Sequence, residues 1–303
     1  MCPSGAPRAP VEHGAIAVAV VVITGCSSGF GLEAALAFAR RGDKVCATMR
    51  NLGKADVLRT RAAEIGVTVE VEALDVTDDD SVAQAIATIT QRHGAIDVLV
   101  NNAGVGFGGP VETMPMAAAQ SVMDTNFWGA VRMIRGVLPS MRVRRAGVII
   151  NVTSLSGLIP GALYTGMYAA SKHALGALSE ALLTEVGPYG VRVVCVAPGF
   201  FATQITANSD ATDDGIAGSA YEADARWWND FMASSVTSGA GAEIVADAIV
   251  AASTDPATAL QQPVGEDAAL YLDLWDQTRT FETWIETALG VVEMTAGPRP
   301  TPH

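Results

Sequence analysis

Short apolar segments alternate with segments of helical periodicity through the first two thirds of the chain. The first, Ile16 to Thr24, is a continuous run of β-branched residues and alanine, which is typical of a strand buried on both faces of a parallel sheet. Strands are predicted at 16–24, 44–49, 67–74, 96–101, 147–152, 191–197 and, more weakly, 260–264. Helices are predicted at 29–41, 53–65, 78–92, 117–138, 167–186 and 242–252. This alternation predicts an α/β fold, a doubly wound parallel sheet of six to seven strands with helices on both faces.

The 303 residues allow one large α/β domain, which we place at residues 15–295. Within it, the irregular Gly/Ser/Asp-rich stretch 204–241 is predicted to be a substrate lid, and residues 265–295 a helical C-terminal extension. The Pro-rich and Gly-rich ends, residues 1–14 and 296–303, are predicted to be flexible tails.

The net charge is −13, and the last third of the chain carries all of it. From residue 203 onward there are sixteen acidic residues and three arginines. Such a surface repels nucleic acid and anionic lipid, so neither is expected as a partner.

The run Ala15 to Ile23 is too short to span a membrane. The four cysteines suggest no disulfide framework, which favours a reducing, cytoplasmic location.

A glycine-rich turn joins the first predicted strand to the first predicted helix. It reads Thr24-Gly25-Cys26-Ser27-Ser28-Gly29-Phe30-Gly31. Its three glycines allow the backbone to approach a pyrophosphate, and the helix start then aims free N–H groups at the anion. Because the trio lies between a buried strand and a helix, it predicts the dinucleotide site of a Rossmann fold rather than a structural turn. Gly25, Ser27, Ser28, Gly29, Phe30 and Gly31 are the predicted contacts.

The end of the second strand indicates which dinucleotide is bound. NAD-binding sheets usually carry an acidic residue there, which holds the ribose hydroxyls. Here Met49 and Arg50 occupy that place, and a guanidinium pairs with a 2′-phosphate. NADP(H) is therefore preferred, and NAD(H) stays open if Arg50 points to water. Further cofactor contacts are predicted at two other strand ends: Asp75 and Val76, and Asn102, Ala103 and Gly104.

Tyr168 and Lys172 stand four residues apart, so their side chains are neighbours on one helix face. A tyrosine is a poor base at neutral pH, but a nearby ammonium is expected to lower its pKa. Tyr168 can then exchange the proton of a carbinol, while Ser154 hydrogen-bonds the substrate oxygen. Tyr164 lies too far from Lys172 to replace Tyr168. Any helix can carry such a Tyr–Lys pair by chance. The pair predicts a catalytic site only because the phosphate loop and Ser154 occur in the same chain.

Together these motifs resemble the short-chain dehydrogenase/reductases, and more loosely their hydroxysteroid and retinol dehydrogenase members that prefer NADP. The resemblance runs from about Ile16 to Thr203 and implies an oxidoreductase acting on CH–OH groups. It implies that Tyr168 is the acid/base and that Lys172 also holds the nicotinamide ribose. It places Ser154, rather than Ser156, on the substrate, because Ser154 stands three residues before a glycine. It also implies a homodimer or homotetramer.

The resemblance implies further site residues beyond the Tyr–Lys pair. It makes Asn126 a catalytic residue that helps to hold a water relay. It places Pro198, Gly199, Phe201 and Thr203 beside the nicotinamide.

The substrate is expected to be a neutral, fairly apolar ketone or secondary alcohol, because the lid contains no basic cluster. Two interpretations stay open for the aromatic residues and the methionine of the lid: they line the substrate pocket, or they form the core of a lid helix. These residues are Trp227, Trp228, Phe231 and Met232.

No histidine has a partner at metal-ligand spacing, so no catalytic metal is expected. Besides an NADP(H)-linked carbonyl reductase, an NAD(H)-linked alcohol dehydrogenase and a non-catalytic dinucleotide sensor stay open. Steady cofactor consumption with a ketone panel separates the sensor from the enzymes.

Overall fold

The computed structural model describes residues 18–106, 108–201, 215–237 and 240–300. Seven parallel strands form one sheet in the order β3-β2-β1-β4-β5-β6-β7. They are β1 Val20–Ile23, β2 Lys44–Met49, β3 Glu70–Ala73, β4 Val98–Asn101, β5 Gly147–Val152, β6 Val191–Pro198 and β7 Gln261–Val264. The predicted doubly wound sheet is confirmed.

Ten α-helices connect and flank the strands in the described ranges. They are α1 Gly29–Arg40, α2 Ala55–Glu64, α3 Asp79–His93, α4 Met116–Met123, α5 Gly129–Arg144, α6 Gly166–Val186, α7 Glu222–Thr237, α8 Ala242–Thr254, α9 Glu266–Thr278 and α10 Phe281–Ala296. None of these helices is both long and apolar enough to cross a membrane.

The strands alternate their side chains between two apolar layers. Val21 and Ile23 of β1 pack with α1, α2 and α8 on one face, whereas Val20 and Val22 pack with α3, α5 and α6 on the other. All four β1 residues are buried, as the continuous β-branched run predicts. Because the strands are parallel, their carboxyl ends share one edge of the sheet, and the loops that follow them meet there.

Two predicted segments differ from the structure. The helix expected over 117–138 is divided by a π-helical turn, Asp124–Trp128, which separates α4 from α5. A single π turn shifts the direction of the side chains that follow, and such turns occur often at functional sites. The stretch expected to be irregular over 204–241 contains the sixteen-residue helix α7. That helix forms because its aromatic residues are buried against α10, a contact that local composition does not reveal.

Candidate functional site

The loop between β1 and α1 has the geometry of an anion-binding turn. Gly25 and Gly29 have positive φ angles of 74° and 57°, which favour glycine. Ser28, the N-cap residue of α1, makes no side-chain capping hydrogen bond, so the first N–H groups of the helix keep their capacity for an external acceptor. Phe30 is packed edge-on against Phe201, with ring centroids 5.6 Å apart. The turn therefore joins the N-terminal end of α1 to the loop after β6.

Asn102 and Thr24 hold this turn in place. The Asn102 amide donates to the carbonyl oxygens of Thr24 at 2.8 Å and Gly25 at 3.1 Å. The Thr24 hydroxyl in turn accepts from the backbone N–H groups of Asn102 and Ala103 at 3.0 and 2.9 Å. These bonds tie the predicted phosphate loop to the predicted contacts after β4, so the two segments form one rigid edge.

The ends of β2 and β3 lie next to each other, as their pairing requires. Met49 is buried and Arg50 is exposed. Asp75 Oδ1 accepts from the Thr77 N–H and hydroxyl at 3.0 and 2.7 Å, which fixes the backbone there. Val76 is buried and packs against Gly129 at the start of α5. All four predicted residues thus lie at the carboxyl edge of the sheet.

Tyr168 and Lys172 lie in the first two turns of α6, and Ser154 follows the end of β5. Ser154 is close enough to Tyr168 for hydrogen bonding between the two side chains to lower the pKa of the tyrosine. The Lys172 Nζ is 5.7 Å from the centre of the Tyr168 ring. It donates to the Val152 carbonyl at 2.8 Å. The structure therefore brings these three predicted residues together at one point of the edge.

The protonation of this group differs from expectation. Burial raises the pKa of Tyr168, and the hydrogen bond from Ser154 offsets only part of that increase. Burial also lowers the pKa of Lys172, to about 8. The prediction that the ammonium depresses the tyrosine pKa is wrong for this arrangement. Desolvation disfavours the charged form of both groups, and it is the largest cause of each pKa shift.

Asn126 lies in the π-helical turn, beside this group. Its Oδ1 accepts from the Val105 N–H at 2.8 Å, and its Nδ2 donates to the Val105 carbonyl at 3.0 Å and to Ser171 Oγ at 3.1 Å. The side chain thus fixes the loop after β4 against α6. A methyl group on Gly104 would lie 3.3 Å from Asn126 Oδ1 and 3.7 Å from Lys172 Nζ, so Gly104 keeps this space open.

Asp267, which was not among the predicted site residues, holds the loop after β6. Gly199 donates to the Val264 carbonyl at 2.9 Å, and the Phe200 N–H donates to the Asp267 carboxylate in α9. Asp267 therefore positions the segment Pro198 to Phe201. In the sequence, Asp267 is only an acidic residue in the first turn of a helix. Thr203 lies outside the described residues.

A cavity of about 720 Å³ opens next to this edge. Part of its wall comes from residues that are neighbours in sequence of Ser154 and Tyr168: Leu155, Tyr164, Thr165 and Gly166. Ser154, Tyr168 and Lys172 are called the proton-transfer group below, after the role predicted for them. The other walls are mostly apolar and come from the loop after β6, α7, α9 and α10: Phe200, Trp228, Phe231, Tyr271, Trp284 and Leu289. Trp228, Phe231 and Met232 both line the cavity and belong to the aromatic core, so the two alternatives left open for them are not exclusive.

A partly buried ion pair lies at the cavity wall, to which Tyr164 and Arg299 both contribute. Arg299 binds the Asp224 carboxylate with two hydrogen bonds of 2.8 and 2.6 Å. Tyr164, which has a positive φ of 56°, donates to the same carboxylate at 2.5 Å. Burial and this bond raise the pKa of Tyr164 to about 12. The contact joins α7, the loop before α6 and the segment after α10. Sequence spacing gives no signal for it, because 60 and 75 residues separate Asp224 from its two partners.

Comparison with a known sequence points to one family. The chain is 47% identical over 188 residues to retinol dehydrogenase 8 of Bos taurus. The match covers 61% of this chain and 59% of that relative, so the chain spans about three fifths of the relative's length.

Comparison with solved structures points to the same family. A short-chain dehydrogenase from Streptomyces avermitilis superposes with a TM-score of 0.74 and 30% identity, over 90% of this chain and 99% of that one. A metagenomic short-chain oxidoreductase in complex with NADP superposes with a TM-score of 0.64 and 28% identity, over 81% and 96%. The family model described as short chain dehydrogenase matches residues 19–214. The chain belongs to the short chain dehydrogenase family.

Proposed function

We propose that this protein is an NADP(H)-dependent oxidoreductase that interconverts a neutral, fairly apolar ketone and its secondary alcohol. The observation that carries the proposal is the meeting of Ser154, Tyr168 and Lys172 at the carboxyl edge that also carries the phosphate loop. Leu155 and Tyr164, close to them in the sequence, line an apolar cavity. The bovine relative is named for retinol, an apolar alcohol, which supports the apolar character of the proposed substrate.

The residues divide the chemistry of carbonyl reduction among them. NADPH supplies the hydride when bound. Ser154 donates a hydrogen bond to the substrate oxygen, and Tyr168 gives that oxygen its proton. The raised pKa of Tyr168 keeps the phenol protonated at neutral pH, which is the form that reduction needs. As the phenolate forms, the Lys172 ammonium stabilises its charge.

The cofactor would lie along the carboxyl edge. Gly25 to Gly31 and the start of α1 suit the pyrophosphate. Asp75, Val76 and Asn102 to Gly104 line the path of the adenosine half. Pro198 to Phe201 border the nicotinamide, and Thr203 is proposed with them on the family resemblance alone. Asn126 acts chiefly as a positioning residue, because protein partners occupy its side-chain atoms. A relay water would then contact its main chain.

The proposal is tested by following NADPH consumption with a panel of ketones of increasing apolar size. Steady turnover that improves with apolar bulk, up to the cavity volume, is expected. Binding of NADPH without turnover of any panel member would instead favour the dinucleotide sensor. Turnover restricted to acidic or carrier-bound substrates would contradict the apolar substrate class.

Arg50→Ala is expected to remove the preference for NADPH over NADH. A charge-assisted contact to the 2′-phosphate contributes about 1.5–3 kcal/mol, so NADPH affinity falls roughly tenfold or more while NADH affinity stays unchanged. Dissociation constants for both cofactors, measured by fluorescence titration, check this. Arg59→Ala removes the same charge from an exposed position on α2 and should leave the preference intact. Equal binding of both cofactors to the wild type would favour the NAD(H) dehydrogenase.

The rate of carbonyl reduction should fall as the pH rises through about 8, because Lys172 loses its proton there. Below that pH the ammonium is present and kcat/KM is at its plateau; above it the phenolate loses its counter-charge. Lys172→Met should have low activity and no such limb. The check is the pH profile of kcat/KM for both proteins. An unchanged limb in Lys172→Met would assign it to another group.

A homodimer or homotetramer in the cytoplasm stays a prediction. Sedimentation of the purified chain would give its oligomeric state.

A further inference from the structure

Three side chains of metal-binding type meet away from the proton-transfer group. Cys46 lies in β2, opposite Glu70 at the start of β3, and His93 is the last residue of α3. The Cys46 Sγ, a Glu70 carboxylate oxygen and a His93 ring nitrogen all lie within 4.8 Å of one another. Their sequence positions show no metal-ligand spacing, because the three residues come from separate elements that only the fold brings together.

We propose that Cys46, Glu70 and His93 bind one divalent transition-metal ion of the zinc class. Thiolate, imidazole and carboxylate are the ligands that zinc takes in proteins, at about 2.0–2.3 Å from the ion. Ligand atoms of a tetrahedral site are then roughly 3.5 Å apart, so small side-chain rotations contract this cluster onto an ion. A water molecule or the second Glu70 oxygen completes the coordination.

The charges around the cluster accommodate the ion. Arg92 contacts Glu70 at 2.6 Å and Glu72 at 3.4 Å. With a neutral thiol and a neutral imidazole, the two carboxylates and one guanidinium leave one negative charge. A divalent ion that displaces the thiol proton brings the group to neutrality. Arg92 keeps Glu72 as its partner, so its presence does not exclude the ion.

The position of the cluster indicates a structural role. The Cys46 residue is only 1% exposed and the His93 side chain 8%, whereas the Glu70 side chain is 36% exposed. An ion therefore enters past Glu70 and becomes enclosed. Once bound, it would join β2, β3 and α3. Two of these elements, β2 and β3, lead into Arg50 and Asp75 at the carboxyl edge. The site would brace the adenosine half of the proposed cofactor site without taking part in the reaction.

Cobalt(II) provides a direct test, because a thiolate ligand gives it a charge-transfer band that oxygen and nitrogen ligands alone do not. All proteins carry Cys2→Ser, so that the cysteine near the N-terminus cannot contribute. We expect this parent to bind one equivalent of Co²⁺ with the thiolate band. The band should be lost in Cys46→Ala and retained in Cys195→Ala, which removes another buried cysteine. Zn²⁺ should raise the thermal unfolding midpoint of the parent but not of Cys46→Ala.

His93→Gln provides a second test of the metal site, and this substitution does not alter the interior of the sheet. Its circular dichroism should match the parent, and its affinity for Co²⁺ should fall by at least about tenfold, the loss of roughly 1.4 kcal/mol. A parent without the thiolate band, a band that persists in Cys46→Ala, or parental affinity in His93→Gln would each overturn the proposal. In that case Glu70, Arg92 and His93 form only an ion-pair network.

Discussion

Replacing Tyr168 with phenylalanine is expected to lower kcat for carbonyl reduction by about 10²- to 10⁴-fold, with NADPH affinity nearly unchanged. The substitution removes the hydroxyl that gives its proton to the substrate oxygen, yet it keeps the ring between α6 and Ser154. Ser154 then still polarises the carbonyl, but the developing alkoxide has no acid within reach. Steady-state kinetics and NADPH titration of the purified variant separate the two effects.

Tyr164→Phe is the matched control for this variant. It removes the same atom four residues earlier, where the hydroxyl contacts Asp224 rather than Ser154. We expect kcat to stay within a few fold of the wild type, and KM to rise because the cavity wall at Tyr164 loses its bond to Asp224. If Tyr164→Phe lost as much kcat as Tyr168→Phe, the assignment of the proton donor to Tyr168 would be wrong.

The sheet could be predicted from the sequence because its strands are buried on both faces. A strand such as β1 must be apolar at every position, and few other environments demand that pattern. Glycines at 25, 29 and 31 then mark the first turn, because the backbone angles and close approach there exclude side chains. Where the local environment dictates the residue type, sequence alone determines the structure.

The proximity of Tyr168 and Lys172 was predictable from the sequence, whereas the direction of their pKa shifts was not. Tyr168 and Lys172 are neighbours through helix geometry alone, whereas their pKa values depend on how much protein surrounds them. The attraction between the two side chains, considered alone, predicts a lowered pKa for Tyr168, whereas burial raises that pKa. The depth of a side chain is a property of the whole fold and is not encoded in a four-residue spacing.

The parts that escaped prediction are contacts across long sequence separations. Asp267 holds the Phe200 backbone from 67 residues away, and Arg299 reaches Asp224 across 75. Each is an ordinary charged residue in its local context. The π turn between α4 and α5 has the same character, since its Asn126 side chain bonds to Val105, 21 residues away. These features lie at the substrate side, where tertiary contacts rather than local patterns set the structure.

Gly31→Ala is expected to weaken NADPH binding by about a hundredfold or more, a loss of roughly 2.7 kcal/mol. A methyl group at this position would lie 2.5 Å from both the Asn102 amide nitrogen and the Gly25 carbonyl oxygen. Neither atom can yield easily, because the amide already donates to Thr24 and Gly25. To make room, α1 must move away from the loop, or the Asn102 contacts must break. Either change displaces the N–H groups that suit the pyrophosphate.

The substitution should also cost about 1–3 kcal/mol of unfolding free energy, as overpacking usually does. Gly187→Ala is its control: Gly187 has helical angles, and a methyl group there would meet no atom within 4 Å. That variant should keep wild-type cofactor affinity and wild-type stability or better.

Titration with NADPH measures the cofactor affinity of both variants, and urea unfolding measures their free energies of unfolding. Wild-type affinity in Gly31→Ala would mean that the dinucleotide does not depend on this turn, and the proposed cofactor site would have to be moved.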